Sequence, residues 1–409
     1  MQLDKLALLM DSISNASKDE PAVRAGFANK RRFLNMVKQE RLVEEFLELV
    51  QIDSESGNES EIVGVLRAKL EALGLEVVED DSKSVTGLGA GNLIATLRGD
   101  VSSVDTILFS VHVDTVPPGN GVKPVVNGDI IETDKKTVLG ADDKAGVAAL
   151  LEAIRVLKET DAKHGDIEFV FTVGEEIGLV GAKALDGSVL KSKYGVALDS
   201  GGPVGEVIVA SPDMAHLSAK VHGVASHAGV APENGISAIE IAAHAIAKMK
   251  LGRLDAETTA NVGTIKGGNA TNIVCDYVEI EAEARSITPS KLKAQMQSMS
   301  QAIEETAKQF GGRAEIELKY DSVGYKLEES DKIVDIAKRA LVSVGRTPDL
   351  KPTGGGSDAN IFTKQHNIPT VNLGVGYQDI HSVNEKMPIP ELLKITETVV
   401  EIVNIAAKK

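Results

Sequence analysis

Among the 409 residues there is a single cysteine, Cys275, which excludes an intramolecular disulfide and any thiolate metal cluster. It lies in the strand-like stretch Asn272-Ile273-Val274-Cys275 and reads as a small buried hydrophobe rather than a nucleophile. Basic residues are outnumbered, 44 against 60 acidic, and the formal net charge of -16 argues against a nucleic-acid partner or an anionic membrane surface. Long apolar runs are missing too. The run Leu6 to Met10 is cut short by Asp11, so neither a signal peptide nor a membrane span is expected, and the expected location is the cytoplasm. There are no repeats or low-complexity tracts.

The length calls for two domains, since one hydrophobic core rarely organises so long a chain. Residues 1–35 have no clear place in the pattern that follows. They read as an appended helix, a tail or an upstream extension of the reading frame, and Met36 begins a stretch that could itself start a chain. From Glu40 the spacing of Leu42, Val43, Phe46, Leu47 and Val50 is helical, and a second helix over roughly 59–73 stops at Gly74. Strands at 75–79, 92–97, 106–113, 167–172 and 194–198, with a helix at 144–160, predict an α/β domain whose mostly parallel sheet is flanked by helices. Between about 213 and 325 the order becomes strand 214–222, helix 235–250, strands 260–265 and 273–285, helix 289–310, strand 313–320. That split-βαβ (ferredoxin-like) plan predicts an inserted α+β domain. A helix at 330–344, a strand at 369–373 and a helix at 389–406 resume the first pattern, so the expected division is 36–212 and 326–409 around an insert of 213–325.

The stretch Thr106 to Val113 is β-branched or apolar and reads as a strand buried on both faces, delivering His112 and Asp114 to its tip. In open α/β sheets ligands bind beyond the carboxyl ends of the strands, although a histidine capping a loop is an equally open reading. Four further turns carry acids or imidazole. Asp142 and Asp143 open the helix at 144, where a helix cap is the bland reading. Glu175 and Glu176 follow the strand 167–172, and two adjacent carboxylates there are costly without a cation unless they are a solvated loop pair. Asp199 ends the next strand, and His381 lies in the loop before the last helix.

All of these turns are expected at sheet-edge positions of one domain, where they would converge on one crevice. Two imidazoles and three or four carboxylates, with no thiolate, suit a pair of divalent ions: Zn2+, with Co2+ and Mn2+ as alternatives. Three ligating carboxylates (Asp142, Glu176, Asp199) set against two dications leave a net positive centre that acidifies water and polarises a carbonyl. Glu175, not needed as a ligand, could act as general base. Asp114 could accept the second imidazole N–H of His112, fix its tautomer and touch nothing else.

The set His112-x-Asp114, Asp142-x-Lys144, Glu175-Glu176, Asp199 and His381 resembles that of the co-catalytic zinc aminoacylase and carboxypeptidase family of metallopeptidases, in its peptidase T-like branch, over about residues 40–409. The resemblance implies a dinuclear-zinc hydrolase with His112, Asp142 (bridging), Glu176, Asp199 and His381 as metal ligands and Glu175 as general base; Asp143 is one position off the ligand slot. It further implies a homodimer through the inserted domain, with His227 reaching the partner's active site and Asn272 and Arg285 holding substrate, although Arg285 alone could be a solvated strand end. Where peptidase T has an arginine ahead of a Gly-Gly-Thr-Asp turn, this chain has Gly354-Gly355-Gly356-Ser357-Asp358. The N–H groups of these glycines, that of Gly355 among them, could bind a carboxylate or simply form a turn. His164, His216, His222, His244 and His366 match no motif and read as surface or packing residues. The expected activity is cleavage of an amide bond in short peptides, as by an aminopeptidase. An N-acyl amino acid deacylase and a non-catalytic dimeric binding protein are the other readings.

Overall fold

The protein is described by a computed structural model covering residues 37–321 and 323–408, so the extension expected over 1–35 lies outside the described residues. The described residues form two compact units: one holds those up to Val207 with Lys332–Asp349 and those from Asn372 onward, the other those of Ile208–Asp331 with Leu350–Val371.

In the first unit, strands β1 (Glu76–Glu79), β2 (Leu93–Leu97), β3 (Ile107–His112), β4 (Ile167–Thr172) and β5 (Tyr194–Ser200) lie in the order β1-β2-β4-β3-β5, with Thr370–Gly374 beside β5. β3 runs parallel to β4 (Ile107 opposite Ile167) and to β5, whereas β1 and β2 are antiparallel additions, so the sheet is mixed and mostly parallel. All six residues of β3 and all six of β4 are buried, as a sheet covered on both faces requires, and their β-branched and aromatic side chains fill that layer. Parallel neighbours put the carboxyl ends of β3, β4 and β5 side by side, and there His112, Glu175-Glu176 and Asp199 emerge.

Helices α1 (Gln39–Val50), α2 (Ser60–Ala72) and α3 (Ala141–Glu159), with Lys332–Ser343 and Ile389–Ala406, cover this sheet. α1 buries Leu42, Phe46, Leu49 and Val50, one stripe of the helix. α3 is buried along most of its length. Its helical backbone starts later than its first residue, because Asp142 (φ -81°, ψ 102°) and Asp143 (φ -120°, ψ 28°) are not helical, in keeping with the expected opening at Lys144. A small antiparallel sheet of Pro124–Asn127, Ile130–Thr133 and Met387–Pro388 has no counterpart in the elements expected from sequence, because its strands are two to four residues long.

In the second unit β6 (Asp213–His222), α4 (Ala238–Lys248), β7 (Thr258–Gly267), β8 (Tyr277–Ser286), α5 (Pro289–Gln309) and β9 (Arg313–Asp321) reproduce the β-α-β-β-α-β order. The antiparallel order is β7-β8-β6-β9, with Gly252–Arg253 added outside β7. β6 alternates strictly: Ala215, Leu217, Ala219 and Val221 are buried with Ile241, Ile280, Met296 and Ile303 from α4, β8 and α5, and the intervening side chains face outward. β8 begins at Tyr277 rather than 273, because Ile273 and Val274 pair instead with His227 and Ser226 across two loops. Among the described residues no helix is long and apolar enough to cross a membrane.

α1 is pinned to α3 by charge as well as by packing. Glu152 is fully buried in α3 and accepts from Arg41 Nε (2.6 Å) and Nη2 (2.8 Å) and from the Lys38 backbone N–H (3.0 Å). Removing one member of a buried pair strands the other charge, while replacing both with apolar groups of similar size can be close to neutral. Arg41→Met is therefore expected to lower stability by about 2–3 kcal/mol in urea unfolding, discounted because Arg41 is partly solvated, and R41M/E152M to regain much of that loss.

Candidate metal centre

His112 ends β3 and is 2% exposed. Its Nδ1 lies 3.0 Å from the main-chain oxygen of Asp114, and since a carbonyl only accepts, Nδ1 carries the proton. That leaves Nε2 facing Asp142 Oδ1 at 3.1 Å and Asp199 Oδ1 at 3.7 Å. The expectation that the Asp114 carboxylate touches only His112 is corrected by its further partners. The chain turns back after β3 so that Asp114 offers the ring its carbonyl, with Oδ1 at 3.5 Å. The carboxylate itself accepts from the backbone N–H groups of Glu175 (2.9 Å) and Glu176 (3.2 Å) and from Ser56 Oγ (2.7 Å). Asp114 thus ties the tip of β3 to the turn after β4.

Gly140, at φ 71°, turns the chain into the Asp142-Asp143 kink, which sends the two carboxylates to different places. Asp142 directs Oδ1 to His112 and Oδ2 to His381 Nε2 at 3.5 Å. Asp143 is fully buried and accepts from the backbone N–H groups of His112 (3.3 Å) and Gly146 (3.2 Å). Asp199 is fixed through its backbone, where Asn372 Oδ1 accepts from its N–H (2.9 Å) and Asn372 Nδ2 donates to its carbonyl (2.8 Å). Glu176 Oε1 meets His381 Nε2 at 3.0 Å, and the half-exposed His381 sits at φ 57°, in a left-handed conformation that non-glycine residues seldom adopt.

Three overlapping groups result, in each of which the nitrogen and oxygen atoms lie within 4.8 Å of one another: His112, Asp142 and Asp199; His112, Glu175 and Glu176; Asp142, Glu176 and His381. The structure thus gathers His112, Asp142, Glu175, Glu176, Asp199 and His381 in one unit, with Asp142 common to two groups through its two oxygens. Electrostatics mark the same place. Burial, which alone would lower the His112 imidazole, is outweighed by Asp114, Asp142 and Asp199, so its pKa lies well above the ordinary value. The hydrogen bond to Asp142 leads the effects that raise His381 to about 9. Burial raises Glu176, and raises Asp143 well above the usual carboxylate range. Imidazolium protons are drawn in because carboxylates are in excess, which is an arrangement suited to a cation, and the imidazole and carboxylate donors are those that zinc, cobalt and manganese accept.

Four side chains around this centre escaped sequence reasoning. The Tyr377 hydroxyl, 1% exposed, lies 3.3 Å from Asp142 Oδ1 and 3.4 Å from Asp199 Oδ1 and donates between them. Lys144 is buried beneath the turn, its Nζ donating to the Ile52 carbonyl at 2.7 Å, and burial lowers its pKa to about 8. Asn372 brackets Asp199, and Glu385 accepts from the backbone of Leu139, Gly140 and Asp142. Tyr377 and Lys144 stand inside motifs read for their neighbours, whereas nothing local distinguishes Asn372 or Glu385.

The remaining candidates lie in the second unit. Exposed His227 and exposed Asn272 occupy adjacent loops, joined by the Ala228 N–H to the Asn272 carbonyl at 3.0 Å. Arg285 is half-buried, clasps both oxygens of Glu283 (3.0 and 3.2 Å) and donates to the Gly354 carbonyl at 3.0 Å, so it adjoins the glycine turn. Within that turn the Gly355 N–H is directed to Thr353 Oγ1 (3.2 Å) and its carbonyl accepts from Ser211 Oγ (2.7 Å). Of the unassigned histidines, His244 packs on Phe310, His366 lies beside Phe362, His222 meets Tyr277 edge-on, His164 bonds the Gly165 carbonyl and His216 is exposed.

Comparison with known proteins bears on this centre directly. Residues 108–405 match the pattern of Peptidase family M20/M25/M40, a span that includes every residue of the three groups. The Bacillus subtilis (strain 168) protein YqjE is 58% identical over 373 residues, covering 91% of this chain and 100% of its own. The crystal structure of the aminopeptidase PepT from Bacillus cereus superposes with a TM-score of 0.88 at 57% identity, covering 91% of this chain and 100% of that one. A tripeptidase from Staphylococcus aureus superposes with a TM-score of 0.89 at 45% identity, again covering 91% and 100%. A carboxylate-rich centre at the strand tips, a matching pattern over most of the chain and these full-length likenesses agree: the chain belongs to peptidase family M20/M25/M40 and is a peptidase T-like metallopeptidase.

Proposed function

We propose that this enzyme is an aminopeptidase of short peptides, tripeptides among them, working with two divalent cations, Zn2+ first and Co2+ or Mn2+ as substitutes. The observation that supports this most is Asp142, whose two oxygens face two separate nitrogen–oxygen groups, one with His112 and Asp199 and one with Glu176 and His381. These five side chains would hold the pair of ions. When bound, such a pair supplies Lewis acidity toward the scissile carbonyl and makes a water easier to deprotonate.

The rest is work for the chain itself. Glu175 takes the proton from the attacking water and returns it to the departing amine nitrogen, so its carboxylate starts and ends ionised. Asp114 supports that exchange by gripping the Glu175 and Glu176 backbone N–H groups, which sets the turn from which both carboxylates project. The first unit would be the catalytic part, and the insert expected over 213–325, within the second unit, would be the part through which the chain dimerises. In that insert His227 would steady the developing oxyanion across the dimer, while Asn272, Arg285 and the Gly355 N–H would hold the peptide backbone or its carboxylate.

Glu175→Ala is expected to lower kcat by about 10^3-fold with melting temperature and metal content (about two equivalents per chain by mass spectrometry of the digested protein) unchanged; near-normal turnover, or less than about one equivalent of metal in wild type, overturns the assignment. On a panel of di- and tripeptides and N-acyl amino acids, unblocked tripeptides should be cleaved fastest, and preference for acylated amino acids would make the enzyme a deacylase. Light scattering should show a dimer, and a fully active monomer would remove His227 from its role in trans.

A further inference from the structure

Glu385 lies four residues beyond His381 and is 2% exposed. Its Oε2 accepts from the backbone N–H groups of Leu139 and Gly140, each at 2.8 Å, and its Oε1 from that of Asp142 at 3.0 Å. Three N–H groups of one turn converge on one carboxylate because Gly140, in its left-handed conformation, turns successive amides to the same side. The partners are more than 240 residues apart in sequence.

Glu385 also sits at the neck of the loop that carries His381. The Gln378 N–H donates to the Lys386 carbonyl at 2.9 Å and the Lys386 N–H donates back to the Gln378 carbonyl at 3.1 Å, closing residues 378–386 into a loop. Inside it, Ser382 Oγ donates to the Asp379 carbonyl at 2.7 Å, and the Glu385 N–H donates to the Ser382 carbonyl at 3.1 Å. A closed, internally bonded loop moves as a body, so whatever holds its neck holds His381. The three bonds to Leu139, Gly140 and Asp142 are that hold.

We infer that Glu385 is a positioning residue, a carboxylate clamp that locks the turn bearing Asp142 to the loop bearing His381 and so sets the separation of these two side chains. The inference rests on the proposed metal reading for its consequence, while the clamp itself stands on hydrogen bonds alone. Two acceptor oxygens are needed for the geometry: a carboxylate accepts at both, whereas a glutamine of the same shape must turn an NH2 group toward at least one backbone N–H. Leaving such a buried donor unmet loosens the turn.

Two measurements on the full-length protein test this. In E385Q, hydrogen–deuterium exchange should quicken in both 139–142 and 378–386, and calorimetric titration of chelator-stripped protein with Zn2+ should give a Kd raised by about 10–100-fold. E385D, which keeps the charge and loses reach, should fall between wild type and E385Q, and it carries the test if E385Q does not fold. Quickened exchange in 139–142 alone, or a wild-type Kd in a folded but less stable variant, would overturn the clamp and leave Glu385 a purely structural acid. If the wild-type protein takes up no Zn2+, the metal reading fails, and the paired exchange response alone decides the clamp.

Discussion

Mutual repulsion of carboxylates is the constraint on which the rest of the first unit depends. Asp114, Asp142, Asp143, Glu175, Glu176, Asp199 and Glu385 gather beyond the ends of three neighbouring strands. Two such charges 4 Å apart in a partly solvated interior oppose each other by about 4 kcal/mol. The structure sorts them by what saturates their oxygens. Asp114, Asp143 and Glu385 spend theirs on backbone N–H groups and become staples between segments. Asp142 and Glu176 aim theirs at imidazole nitrogens, and Asp199 approaches His112 and Tyr377. Staples and cation-facing groups are all carboxyl groups, divided by their hydrogen-bond partners and by burial, which raises Asp143 and Glu385.

This division explains how the neighbours Asp142 and Asp143 part company. A regular helix would have set them about 100° apart on one surface. The kink before Lys144 instead buries Asp143 against β3, where Gly146 leaves room for it: a Cβ there would lie 2.4 Å from Asp143 Oδ1 and 2.8 Å from Val111. Gly146 is therefore bound to the geometry of the centre through Asp143.

Much of this is legible in the sequence, for identifiable reasons. β3 and β4 are rich in β-branched and aromatic residues, and such runs in parallel register end together, so residue order and type place His112, Glu175-Glu176 and Asp199 at one edge. The helix 389–406 has the same bounds in sequence and structure, because Pro388 and Pro390 mark its start. What stays hidden is long-range. The partners of Asp114 are set by how β3 and β4 are aligned, those of Glu385 by a fold that returns after more than 240 residues, and neither leaves a periodic trace. The apolar stretch Ile273-Val274-Cys275 reads as strand because pairing between loops asks for the same residues as pairing within a sheet.

Tyr377, His381 and Glu385 arrive only in the last thirty-three residues of the chain, yet they are woven among residues that begin at Ser56. A ribosome releases the amino-terminal end first. During synthesis the tips of β3, β4 and β5 can therefore form while Asp142 lacks both its imidazole on one side and the carboxylate that grips its turn. No fragment that stops before Tyr377 carries all the side chains gathered at the centre. Assembly of the centre therefore waits on residues that follow the whole of the second unit in sequence.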